Sequence, residues 1–127
     1  MAVLLKNRTF NTTDMNTKEL VLKYWMSWQD HSSWETTRSL MKDDFKFDAG
    51  DFVTYSADNL IQLMKKGNPW KDIELIECVV DGNKGALLYE GTDSETNVRL
   101  RIAEIITVDE DKVSECIANI SRLPDSE

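Results

Sequence analysis

Residues 97–108, NVRLRIAEIITV, place the tightest limit on what this chain can become. Every second residue yields one face of Val98, Leu100, Ile102, Glu104, Ile106 and Val108. The other face carries Asn97, Arg99, Arg101, Ala103, Ile105 and Thr107. Alternation sustained this long predicts a β-strand with one face inward and one partly wet. At ~3.3 Å per residue it runs on the order of 40 Å, so it has to bend or twist. One acid, Glu104, interrupts the apolar face. A carboxylate there needs a partner, a proton or a cavity with polar content. Burial against Tyr24, an indole N–H or a lysine satisfies the same requirement, as does a point where the strand leaves the core.

The elements before this strand read differently. Asn16-Thr17-Lys18-Glu19 is a capped helix start, and a helix follows from about Thr17 to Gln29 with Val21, Trp25 and Trp28 on one side, flanked by Leu22 and Tyr24. Ser32-Ser33-Trp34-Glu35 opens a second, short helix to about Met41. Lys42-Asp43-Asp44 reads as a turn and Phe45-Lys46-Phe47 as a short strand ending in Asp48-Ala49-Gly50-Asp51, with Phe52–Tyr55 a candidate second one. Ser56 caps a third helix through Lys66, stopped by Gly67 and Pro69. From Lys71 on the period is two: strands over 71–80, 84–91, the long strand, and 112–121, joined by short connections that imply an antiparallel meander. Residues 1–16 read as a loose arm, 17–121 as one domain, and 122–127 as a solvated tail.

Helices followed by a long antiparallel sheet give an α+β class, three helices packed on one face of a curved sheet around a cone-shaped hollow. A chain of 127 residues with four Trp, four Phe and three Tyr has the material for a real core. Its formal net charge of -8 argues against nucleic acid or an anionic membrane as partner. No run is long enough to span a bilayer, and Ala2-Val3-Leu4-Leu5 is too short for a signal-peptide core, so a cytoplasmic protein is expected. Two distant cysteines, Cys78 and Cys116, and a single histidine give no metal-ligand spacing. No metal or other cofactor is implied, and reduced thiols are expected.

The order and spacing of Tyr24-Trp25-Met26-Ser27-Trp28, of Leu40 to Asp48 (LMKDDFKFD) and of the four-strand finish resemble the nuclear transport factor 2-like superfamily, which includes SnoaL-like polyketide cyclases and ketosteroid isomerases. The resemblance spans residues 17–121. It implies a cystatin-like α+β roll with a pocket, and subunits paired through the outer sheet face. Carried over from ketosteroid isomerases, the oxyanion tyrosine falls at Tyr24, the general-base aspartate at Asp48 or one residue on, and the protonated carboxyl donor at Glu104. The chain departs in having Glu for that Asp and no proline after the base. What the resemblance implies is a small apolar, carbonyl-bearing ligand in an isomerase, cyclase or lyase, with Trp28, Phe47, Leu63, Trp70, Leu100, Ile102 and Ile106 lining the pocket.

Each candidate also has a structural reading. Tyr24 fits a core tyrosine, Asp48 a turn aspartate bonding locally. His31 reads as a loop residue, and Arg99 and Arg101 as a solvated or subunit-facing side. Three functions remain open on the sequence: an acid–base enzyme, a non-catalytic pocket protein, and a homodimeric interaction module whose hollow is filled by Trp and Phe.

Overall fold

The computed structural model describes residues 12–29, 31–67 and 69–124. Among these residues three helices, α1 (Thr12–Ser27), α2 (Trp34–Ser39) and α3 (Ala57–Lys66), accompany six strands: β1 (Met41–Asp48), β2 (Val53–Thr54), β3 (Trp70–Asp81), β4 (Lys84–Asp93), β5 (Arg99–Asp109) and β6 (Lys112–Arg122). One sheet holds all six in the order β2-β1-β6-β5-β4-β3. Its meander is antiparallel, and β1 lies parallel to β6.

Turn chemistry fixes the meander. Gly82 supplies φ 60° at the first of two residues between β3 and β4, and Glu110 and Asp111 both sit at positive φ between β5 and β6. Register shifts interrupt β3–β4 at Lys71/Glu74 and Leu75/Glu77 and β5–β6 at Thr107/Val108. Such bulges deepen twist and curl the long strands, which makes the inner face concave. Into that hollow α1 inserts Val21, Tyr24 and Trp25, and α3 inserts Leu60 and Ile61. These meet Phe45, Met41, Leu87, Ile102, Ile106 and Val113 from the sheet. On β5, Ile102, Glu104 and Ile106 are buried while Arg101, Ala103 and Ile105 are exposed, as the alternation requires.

α3 follows its local signals closely: the Ser56 hydroxyl accepts from the Asn59 N–H at 3.2 Å, and Gly67 closes the other end. Other boundaries differ. α1 begins at Thr12 and ends at Ser27, so residues 12–16 are helical rather than part of a loose arm; residues 1–11 and 125–127 lie outside the described residues. α2 stops at Ser39, and its N-cap Ser33 makes no side-chain capping bond. Lys42-Asp43-Asp44 is strand, not turn. β1 carries a bulge between Met41 and Lys46, so its buried residues, Met41 and Phe45, are four apart and hide the period of two. The charges there are placed by tertiary partners: Asp43 meets Arg38 at 2.6 Å and Lys42 meets Asp109 at 2.9 Å.

Candidate functional site

The inward row of β5 brings Glu104 opposite Leu87 on β4 and Ala118 on β6. Its side chain is 7% exposed. The Cys116 thiol donates to Glu104 Oε2 at 2.9 Å, and the second oxygen, Oε1, is buried without a hydrogen-bond partner among the described residues. Burial pushes the Glu104 carboxyl above the ordinary carboxylate range, against the opposing pull of Cys116 and Tyr89 beside it. Burial also raises Tyr24, Tyr89 and Cys116 well above their usual values, and the nearby Glu104 adds to each. Among the described residues no cation offsets this acid. Arg101 is spent on Glu90 across the outer face, at 2.7 and 3.1 Å, and Arg99 lies 3.5 Å from the same carboxylate.

Above Glu104 lies a cavity of about 450 Å³. Tyr24, Tyr89, Ile102 and Ala118 surround the acid at the buried end. Trp28, Trp34, Phe47, Met64, Trp70 and Ile120 form the sides, and His31, Gly67 and Asp93 complete the lining. Trp28, Trp70 and Tyr89 form one aromatic wall, their ring centroids 6.2 to 6.5 Å apart pairwise. The size and the apolar lining with a few convergent polar groups suit a small organic ligand. A larger groove of about 850 Å³ opens beside the start of α1. Its buried polar residue, Thr17, already donates to the Gly82 carbonyl at 2.7 Å, so it offers no unmet polar group of this kind.

Of the three residues the resemblance pointed to, two share this cavity and one does not. Tyr24 and Glu104 both line it. Asp48 faces away: its neighbour Phe47 points inward, so strand alternation turns Asp48 to the opposite face of the sheet. There Asp48 Oδ1 accepts from the Gly50 N–H at 2.9 Å, with Gly50 at φ 91°, a local turn bond. Trp28, Phe47, Trp70 and Ile102 are on the cavity wall. Leu63, Leu100 and Ile106 are not. Leu63 is exposed at the side of α3, and Met64, in line with Leu60 and Ile61, takes the place on the wall. Leu100 packs against the core and Ile106 is fully buried within it.

Sequence reasoning passed over Tyr89 and Cys116, the nearest polar companions of Glu104. Tyr89 was within reach, since Gly85, Leu87, Tyr89 and Gly91 alternate onto one face of β4. Cys116 was not, because the shift near Val113 breaks the period on β6. Both cysteines are free thiols. Among the described residues no cluster of His, Cys, Asp and Glu has the make-up of a metal site, and no helix is long and apolar enough to cross a membrane.

No protein-family model matches the chain, and no curated protein matches its sequence. Solved structures do match its fold. One, described as a candidate ketosteroid isomerase from Kribbella flavida, superposes with a TM-score of 0.79 at 16% identity, over 92% of this chain and 87% of that one. A candidate SnoaL-like polyketide cyclase from Jannaschia sp. gives 0.78 at 12% identity, covering 91% and 92%. An LEH-like epoxide hydrolase from M. tuberculosis gives 0.73 at 11%, covering 85% and 84%. Identities this low show a shared fold, and the names attached to it span several chemistries.

Proposed function

We propose that this chain, which has the nuclear transport factor 2-like fold, binds a small apolar molecule carrying a hydrogen-bond acceptor such as a carbonyl, with protonated Glu104 as the donor at the buried end. One observation carries the reading: Glu104 Oε1 is buried at an aromatic-lined cavity and has no hydrogen-bond partner among the described residues. An unpaired buried polar atom costs about 1–3 kcal/mol, so a ligand that supplies the missing partner recovers part of that cost. A neutral carboxyl donates to a carbonyl; an ionised one repels it. The fold neighbours include proteins named for isomerase, cyclase and epoxide hydrolase activity, which supports a pocket-centred function without choosing among them.

Calorimetric titration of decalone against decalin, two molecules of nearly the same shape, tests this. The ketone is expected to bind more tightly by roughly 2- to 13-fold, the equivalent of one net hydrogen bond. Glu104→Gln, which keeps a donor, retains that preference, and Glu104→Leu erases it. Equal affinity of the wild-type protein for both compounds would sink the reading.

A second observation supports self-association. Val79, Ile105 and Ile117 are 56%, 47% and 44% exposed and share the outer sheet face with Ala103 and Arg101. Apolar side chains gathered on one face favour a partner that covers them. We therefore place a homodimer contact there, in a protein of the reducing cytoplasm that carries its two thiols free.

A further inference from the structure

The ligand reading above leaves the cavity with an acid and no assigned base, because Asp48 lies across the sheet. The lining offers few alternatives. Tyr24 and Tyr89 hold their protons more firmly than ordinary phenols. Asp93 commits Oδ1 to the N–H groups of Glu95 and Thr96, at 2.8 and 3.0 Å, and so holds the β4–β5 turn. That leaves His31, the single histidine of the chain.

His31 is well placed for more than a loop. It lines the same cavity as Glu104 and is only partly exposed. Its imidazole packs edge-on against Trp34, another lining residue, with centroids 4.9 Å apart. Neither ring nitrogen has a hydrogen-bond partner among the described residues. The backbone sits at φ 58°, a left-handed conformation uncommon for a side-chain-bearing residue, and its N–H reaches the Trp28 carbonyl at 3.4 Å. Strain of this kind collects at sites where a side chain has to be aimed.

We propose that His31 and Glu104 form a proton-transfer pair across this cavity, His31 as base and Glu104 as acid, acting on the carbon beside the carbonyl of the bound ligand. A free imidazole nitrogen takes the proton from that carbon. The C–H electron pair becomes the new C=C bond, the carbonyl π pair moves to oxygen, and the Glu104 O–H bonds to or protonates that oxygen. The reverse steps return a proton to carbon. Because the imidazole is partly exposed, the proton it carries exchanges with water before it is returned. The inference rests on the ligand reading, and it names a base that resemblance to ketosteroid isomerases would have put at Asp48.

The test is wash-in of deuterium beside the carbonyl of decalone in heavy water, followed by NMR, with decalone affinity measured in parallel. Wild-type protein is expected to speed exchange over buffer. His31→Asn removes the basic nitrogen but tolerates positive φ, and should cut the protein-dependent rate by about 100-fold or more, the low end of general-base contributions. Its exchange rate is to be compared with wild type at saturating decalone, so that any change in affinity is separated from the loss of the base, and Asp48→Asn should exchange like wild type. As a check that needs no variant, the two C–H signals of the single imidazole should shift when decalone is added. Binding without exchange, or exchange that survives His31→Asn, overturns the acid–base pair and leaves the ligand reading standing. Loss in Asp93→Asn with His31→Asn unaffected overturns it in favour of Asp93. Absence of decalone binding removes the ligand reading itself.

Discussion

Gly91→Ala sets two effects of opposite sign against each other, and the structure decides between them. Gly91 lies on the inward row of β4 in ordinary strand backbone, not at positive φ. On conformational grounds alone, alanine in place of a strand glycine should stabilise by about 0.5–1 kcal/mol. A Cβ at position 91, however, would fall inside the contact distance of Trp70 Cε3, lie 3.0 Å from Cζ3, and stand 3.4 Å from Ile73 Cγ1. Carbon pairs settle near 3.5–4.0 Å, so the indole has to move by on the order of 1 Å. It is not free to do so, because Trp28 and Tyr89 pack against it at 6.4 and 6.5 Å. Overpacking of this sort costs roughly 1–3 kcal/mol. The net expectation is a loss of about 1 kcal/mol, within the 0 to ~2.5 kcal/mol that the two ranges span.

Equilibrium urea unfolding measures that loss, and a double-mutant cycle assigns its cause. With Trp70→Leu in the background the clash is relieved, so Gly91→Ala should cost less there, with a coupling of at least ~0.5 kcal/mol. The displaced ring also forms part of the cavity wall, so decalone affinity should fall along with stability. Gly91→Ala that stabilises the otherwise wild-type protein would refute the reasoning, because Trp70 would then not be seated against residue 91.

Glu104→Gln should flatten the dependence of stability on pH. The folded carboxyl titrates above its unfolded counterpart, so between the two values the folded state holds more protons. Stability from this group is therefore complete below the unfolded value and is lost as pH rises through the folded one, by up to ~1.4 kcal/mol per pH unit in that window. Chemical unfolding at a series of pH values should show the Gln variant gaining on wild type toward alkaline pH; destabilisation at about pH 8 would mean an ionised, structurally paired Glu104. For the outer face, light scattering should give twice the chain mass at tens of micromolar, a range in which a standard-size interface holds. Ile105→Asp should yield monomer with the cavity intact, and a wild-type monomer would remove the dimer. Thiol titration of the denatured, unreduced protein should find both Cys78 and Cys116, whereas finding neither would reopen the compartment.

Burial of Glu104 was legible in the sequence because a period of two assigns a face without reference to any other element. The same rule explains where the site reading went astray. Asp48 follows the inward Phe47 by one residue, and in a strand one residue is the whole difference between cavity and outer surface. A carry-over uncertain by one position therefore could not place a base. The α3 boundaries were legible because Ser56 and Gly67 act within a few residues of themselves. The strand at 42–44 was not, because a bulge spaces Met41 and Phe45 and ion pairs to Arg38 and Asp109 fix the charges between them. His31 lies furthest from any local rule. Nothing in Asp30-His31-Ser32 says where an imidazole points. That depends on a left-handed backbone after α1, a bond to the Trp28 carbonyl and the ring of Trp34, and these exist together only once the helices pack on the sheet. Sequence period thus located the acid of this cavity, whereas a base for it emerges only from tertiary structure.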